Sequence, residues 1–107
     1  MATFPNFDEV NFEAEVLARP GLTVVDFWNE GCVPCKQLER MLVDLAPELP
    51  STVRIGKVDA ASNPNLAARY EVRGVPALLL FKDGTLVERR DGVDRRQVLK
   101  KAITTHA

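Results

Sequence analysis

The chemistry of this chain is concentrated in Cys32-Val33-Pro34-Cys35, a stretch that holds both of its cysteines. With no third cysteine to pair with, the two bond each other, stay free, or react with other molecules. They follow the apolar run 22–28 and precede a helical pattern, which places them at a strand-to-helix junction. A thiol there meets unpaired backbone N–H groups and the positive end of the helix dipole. Both favour the thiolate, the reactive form of the side chain. Pro34 suits this setting, because proline is tolerated in the first helical turn. As a structural staple the pair would do little, since closing so short a loop contributes only roughly 2 kcal/mol in the chain-entropy picture. No metal is expected: structural zinc usually takes four ligands, and the only histidine, His106, lies at the chain end and reads as an idle tail residue. Zinc shared between two chains is the one metal reading left. Thiol–disulfide exchange is the chemistry this spacing favours.

Asp26 is out of character with its neighbours, standing between Val24-Val25 and Phe27-Trp28 on a strand expected to be buried. A carboxylate there should be desolvated and its pKa raised. Close to a thiol pair, such a group can take the proton of Cys35, through water. The competing reading puts Asp26 on a solvent-facing side of the strand. Lys57, in Gly56-Lys57-Val58, reads alone as a solvated strand position. Trp28 is most simply core, although its place four residues before Cys32 also suits packing under the cysteine loop. Val75-Pro76 opens a strand. Only about one X–Pro bond in twenty is cis, so this residue pair alone favours trans. Gly92 reads as a strand terminator. The pairs Arg89-Arg90, Arg95-Arg96 and Lys100-Lys101 read as solvated faces offset by Glu88, Asp91 and Asp94.

The elements that must position these groups follow from pattern and punctuation. Residues 4–7 can form a short strand that Pro5 confines to an edge. Asn11 can cap a helix over 12–18, ended by Pro20-Gly21. Residues 22–28 form a buried strand. A helix runs over 35–45, with Leu38, Met41, Leu42 and Leu45 along one stripe, and Pro47 and Pro50 close it. Val53, Ile55 and Val58 mark a strand ending at Asp59. Asn63-Pro64 opens a short helix through Leu66 and Tyr70. Ala77-Leu78-Leu79-Leu80-Phe81 is continuously apolar, as in a strand covered on both faces. Lys82-Asp83-Gly84 signals a hairpin, so the strand 85–90 returns antiparallel. Asp94 can cap a last helix bearing Val98, Leu99, Ala102 and Ile103. The order β-α-β-α-β-α-β-β-α implies an α/β fold with parallel pairing first, an antiparallel edge last, and helices on both faces.

At 107 residues the chain reads as one domain, long enough to bury a core without staples. A net charge of −1 gives no basic footprint for nucleic acid, and no stretch approaches a membrane span. The first twenty residues carry Asp8, Glu9, Glu13 and Glu15 and no signal-like apolar run. A cytoplasmic, monomeric protein is expected, in a compartment where thiols stay reduced and a lone close cysteine pair is more often catalytic than structural.

Three separated segments, VVDFWNEGCVPCK, KVDAASNP and RGVPALLLFKDG, make the whole chain resemble the thioredoxin family. The resemblance implies a central mixed five-stranded sheet, parallel then antiparallel, flanked by four helices, and protein-disulfide reductase activity. It also implies Cys32 as attacking thiol, Cys35 as resolving thiol, Asp26 as base and Lys57 as that carboxylate's partner. It implies a cis bond before Pro76, with Val75 offering its backbone to an extended substrate by strand addition. Trp28, Gly31, Val33, Pro34, Gly74, Val75, Pro76 and Gly92 are then the substrate-facing residues. The partners implied are disulfide-containing proteins and an NADPH-dependent flavoprotein thioredoxin reductase, and the chain needs no bound cofactor. Two departures stand out. The family usually has Trp-Cys-Gly-Pro-Cys where this chain has Gly31-Cys32-Val33-Pro34-Cys35. Gly31 removes an aromatic wall, and Val33 adds a stiff branched side chain. Both bear on redox potential and partner choice, and they keep two alternatives in view: a more oxidising disulfide oxidase or isomerase, and a redox-independent binding module.

Overall fold

Strand alternation and two apolar helix stripes build the molecule, seen here in a computed structural model that describes residues 4–107. Strand β1 (Leu22–Trp28) lies inside a sheet of order β2-β1-β3-β4, with β2 at Arg54–Asp59, β3 at Ala77–Lys82 and β4 at Thr85–Asp91. Helix α1 (Val33–Leu45) continues into a 3-10 turn at Ala46–Glu48, α2 spans Pro64–Arg69 and α3 spans Arg96–His106.

Successive residues of a strand point to opposite faces, and the core divides accordingly. Leu22 and Val24 of β1 join Ile55, Leu78 and Leu80 under Leu38, Leu42 and Leu45 of α1 and Leu99 and Ile103 of α3. Val25 and Phe27 face the other way, against Phe7, Phe12, Val16, Val58, Leu66 and Phe81. Asp26, the next even position after Val24, therefore points at the α1 side with a relative exposure of 0%.

Several details differ from the sequence expectation. The edge strand at residues 4–7 reduces to a single parallel bridge, Asn6 with Lys57, so the sheet has four strands among the described residues. Lys57 N–H donates to the Pro5 carbonyl and Phe7 N–H donates to the Lys57 carbonyl. Pro5 has no N–H of its own and the ladder stops there. The helix over 12–18 is a π-helical turn at Glu13–Leu17. Its lead-in is closed by a reciprocal box: Asp8 Oδ1 accepts from Asn11 N–H, and Asn11 Oδ1 accepts from Asp8 N–H. Asn11 is thus the partner of a cap at Asp8. Among the described residues the helical elements are three α-helices, this π-helical turn and the 3-10 turn, instead of four α-helices.

Only β1·β2 is parallel; β3 runs antiparallel to both β1 and β4. The reason lies in α2. Both β2 and the incoming β3 meet the sheet at the same end, since Trp28 is opposite Asp59 and Phe27 is opposite Ala77. A helix as short as α2 rises only about 9 Å, against roughly 20 Å for a strand of that length. The chain never returns to the far end, as a parallel crossover would require.

The hairpin after β3 is as the sequence implies. Asp83 and Gly84 both have positive φ, +50° and +81°, which is the two-residue loop that matches strand twist. A Cβ at Gly84 would collide with the Leu17 carbonyl. At the last helix Asp94 does not act as the cap. Its carboxylate takes the Arg90 guanidinium at 2.8 and 3.1 Å, and Arg95 occupies the cap position without a side-chain bond. His106 is inside α3, with Nε2 2.9 Å from Glu88 Oε1, and so ties the helix end to β4.

Candidate active site

The strand-to-helix junction places both cysteines on the first turn of α1. Cys32 is its N-cap residue in an extended conformation, and Val33 and Pro34 form the exposed first positions. The two cysteines are joined as a disulfide with Cα atoms 5.2 Å apart. Their surroundings differ. Cys32 is half-buried, whereas Cys35 is only 4% exposed because it begins the buried stripe that continues through Leu38. The Cys35 N–H donates to Cys32 Sγ at 3.2 Å. The first sulfur therefore receives one of the helix's unpaired amides directly.

Two concave surfaces flank the disulfide. On one side the Val75–Pro76 peptide is cis, and the Val75 carbonyl oxygen lies 4.0 Å from Cys32 Sγ. Gly74, Val75, Pro76 and Gly92 line a groove of about 530 Å³ there, with Arg73 and Arg89 on its walls. Arg89 is held in place by donation to the Tyr70 carbonyl at 2.8 Å. On the other side a cavity of about 230 Å³ is bounded by Trp28, Gly31, Cys35, Glu39 and Lys57. Of the residues singled out as substrate-facing, Gly74, Val75, Pro76 and Gly92 come together beside Cys32. Trp28 and Gly31 sit instead on the Cys35 side, and Val33 stands out from the helix end at 64% exposure. Gly31 has φ +77°, and a Cβ there would meet nothing within 4 Å.

Asp26 is buried on the sheet face that α1 covers. Neither carboxylate oxygen has a hydrogen-bond partner within the protein. Burial pushes its pKa from 3.8 up to about 7, the positive charge of Lys57 pulls it back, and Glu39 pushes it up again. Lys57 is the register partner of Asp26 across β1·β2. Its ammonium makes its ion pair with Glu39 Oε1 at 2.5 Å, and lies 4.8 Å from the centroid of the Trp28 ring. Glu39 is the residue that sequence reasoning missed. On its own it reads as one more acidic position on a helix. The available signal was its spacing, one turn after Cys35 and therefore on the same helix face.

The family model described as Thioredoxin matches residues 4–105. Thioredoxin C-2 of Corynebacterium nephridii is 41% identical over 98 residues, covering 92% of this chain and 91% of the relative. The thioredoxin of Chlamydia trachomatis serovar D is 48% identical over 86 residues, or 80% and 83% of the two chains. That of Rhodospirillum rubrum is 39% identical over 84 residues, or 78% and 81%. With the family model spanning nearly the whole chain and identity at this level across most of each relative, the chain belongs to the thioredoxin family.

Proposed function

We propose that this thioredoxin-type protein-disulfide reductase uses Cys32 as nucleophile, Cys35 as resolving thiol and Asp26 as the base for the second step. In the reduced protein the Cys32 thiolate attacks one sulfur of a substrate disulfide. A mixed disulfide forms, and the other substrate sulfur leaves as thiolate. Cys35 gives its proton to the Asp26 carboxylate, through water, and attacks Cys32 Sγ. The Cys32–Cys35 bond forms, the remaining substrate sulfur leaves, and two electrons have passed from the dithiol to the substrate. Asymmetric burial is the observation that carries this order: the half-buried cysteine meets the substrate, while the buried one acts in the second step. The base role draws support from the position of Asp26, buried and unpartnered on the sheet face that α1 covers.

The groove of Gly74, Val75, Pro76 and Gly92 suits an extended substrate segment, pairing its backbone with that of Val75 beside the reactive sulfur. Val33 and Pro34 would meet the same segment from the helix side, and Trp28 and Gly31 would line its far flank. Lys57 tunes Asp26 by its charge. A flavoprotein thioredoxin reductase drawing on NADPH would restore the dithiol, in the cytoplasm, with residues 1–107 acting as one thioredoxin unit. Insulin reduction followed by turbidity, with dithiothreitol as electron source, tests the scheme. Cys32→Ser should abolish turnover and Cys35→Ser should trap substrate on Cys32. Turnover surviving in Cys32→Ser would overturn it.

A further inference from the structure

Three ionisable groups, two on the sheet and one on α1, meet between these elements, and only the Lys57–Glu39 ion pair is made. Asp26 and Lys57 are neighbours in register, on the face that also carries Val24 and Ile55. The ammonium nevertheless leaves Asp26 unpartnered and closes on Glu39. Glu39 reaches it from α1, one helical turn beyond Cys35, and the Trp28 ring backs the ammonium from below. Glu30 and Lys36, which line the same cavity as Lys57 and Glu39, are exposed, and the remaining groups around Asp26 are apolar or already paired. Its β3 partner is Leu78, and α3 contributes Leu99 and Ile103 to this face. On β4 the Arg90 side chain is already taken by Glu88 and Asp94. Arg40 of α1 is exposed as well.

We propose that Glu39 is a positioning residue for the resolving step: it captures the Lys57 ammonium that would otherwise neutralise Asp26, and so leaves Asp26 basic enough to take the proton of Cys35. An ammonium drawn onto a carboxylate favours its ionised form and makes it a weaker base. A base works best when its proton affinity lies near the operating pH. Diverting Lys57 to a second carboxylate keeps a cation in the site and satisfies the lysine, while Asp26 is left without a direct partner and feels only a weakened pull. The inference rests on the reading of Asp26 as the base toward Cys35.

The test is a nuclear magnetic resonance titration of the Asp26 carboxyl carbon in wild type, Glu39→Gln, Lys57→Gln and the double variant. Each is also followed by the pH dependence of the second equivalent of thionitrobenzoate released when the reduced protein meets Ellman's disulfide. Glu39→Gln should free Lys57 and lower the Asp26 midpoint by about one pH unit or more. The rate profile should move to lower pH with it, and Glu39→Asp should restore part of the shift. In the Lys57→Gln background the Glu39 substitution should lose most of its effect. An Asp26 midpoint unchanged in Glu39→Gln, or a shift of equal size with and without Lys57, would overturn the proposal. Asp26→Asn separates the two readings. If that variant leaves the second release unaltered, the base assignment fails, while the carbon titration still reports whether Glu39 governs Asp26.

Discussion

The backbone N–H of Cys35 donates to the sulfur of Cys32 at 3.2 Å, so the same amide that opens helix α1 also serves the first sulfur of the disulfide. Cys32 thus does the work of an N-cap side chain. In most helices that work falls to serine, threonine, aspartate or asparagine. Disulfide sulfur and helix cap are one group, and the disulfide partner is the residue that supplies the donor.

This dual role separates two substitutions that look alike in an activity assay. Cys32→Ser and Cys32→Ala both remove the proposed nucleophile and the disulfide. Serine keeps an acceptor at the cap and alanine does not. Urea unfolding at neutral pH should find Cys32→Ala less stable than Cys32→Ser by about 1 kcal/mol. Equal midpoints would mean that the contact does not hold the helix end.

Asp26 makes the stability of the oxidised protein depend on pH in a direction opposite to that of a salt-bridged carboxylate. Its pKa in the fold, about 7, lies above its ordinary 3.8. Between those values the unfolded chain has lost the proton and the folded one still holds it. The folded state binds more protons, so stability falls as pH rises through this window and levels off above it. At about 1.4 kcal/mol per pH unit the gap sets a ceiling of roughly 4 kcal/mol. Asp26→Asn removes the titration. Its stability relative to wild type should therefore improve by a few kcal/mol between pH 4 and pH 8, read from denaturant midpoints at each pH. A difference independent of pH would show that Asp26 does not titrate in this window.

How much of this was legible in the sequence depends on whether one residue type could answer the question alone. The run at residues 77–81 and the stripe of Leu38, Met41, Leu42 and Leu45 announce burial directly, and all are buried except Met41, which packs half-buried at the edge of the cluster. The cysteine turn was legible because strand, spacing and proline agree. Asp94 was misread because the pattern of an acidic residue before a helix says nothing about Arg90 four positions earlier, whose guanidinium claims the carboxylate. His106 was misread for the same reason, since Glu88 is remote in sequence and adjacent only once α3 packs on β4. Glu39 shows by its spacing only that it shares a helix face with Cys35, because its partner Lys57 comes from another element. Periodicity reports which face a residue takes. It does not report which of several charges on that face will pair.

The turn at Asp83 joins two parts of the fold. Its N–H donates to the Gly21 carbonyl at 3.0 Å, and its Oδ1 accepts from Gly21 N–H at 2.7 Å. It also holds φ +50°, a region that aspartate and asparagine tolerate better than most residues. Asp83→Asn keeps the acceptor and the backbone preference, whereas Asp83→Ala loses both. Alanine should lower stability by about 1–2 kcal/mol and asparagine by much less. Amide hydrogen exchange at Gly21 should accelerate in the alanine variant alone. Matching exchange in both would leave the cross-link without an energetic role.

Gly31 permits a cleaner separation of backbone from surface. Its φ of +77° is one that side-chain-bearing residues adopt at a cost of about 1–2 kcal/mol. A Cβ there meets nothing, so that backbone term is the whole expected penalty for Gly31→Ala. Gly31→Asn should recover part of it, because asparagine visits the left-handed region more readily. Gly31→Trp carries the same backbone term and adds an aromatic face beside Cys35, on the flank where the cavity now opens. If that flank receives substrate, Gly31→Trp should change KM for insulin while Gly31→Ala leaves it unchanged. If both variants alter KM alike, the effect belongs to the loop conformation, and the missing indole is not what sets this protein's substrate contacts.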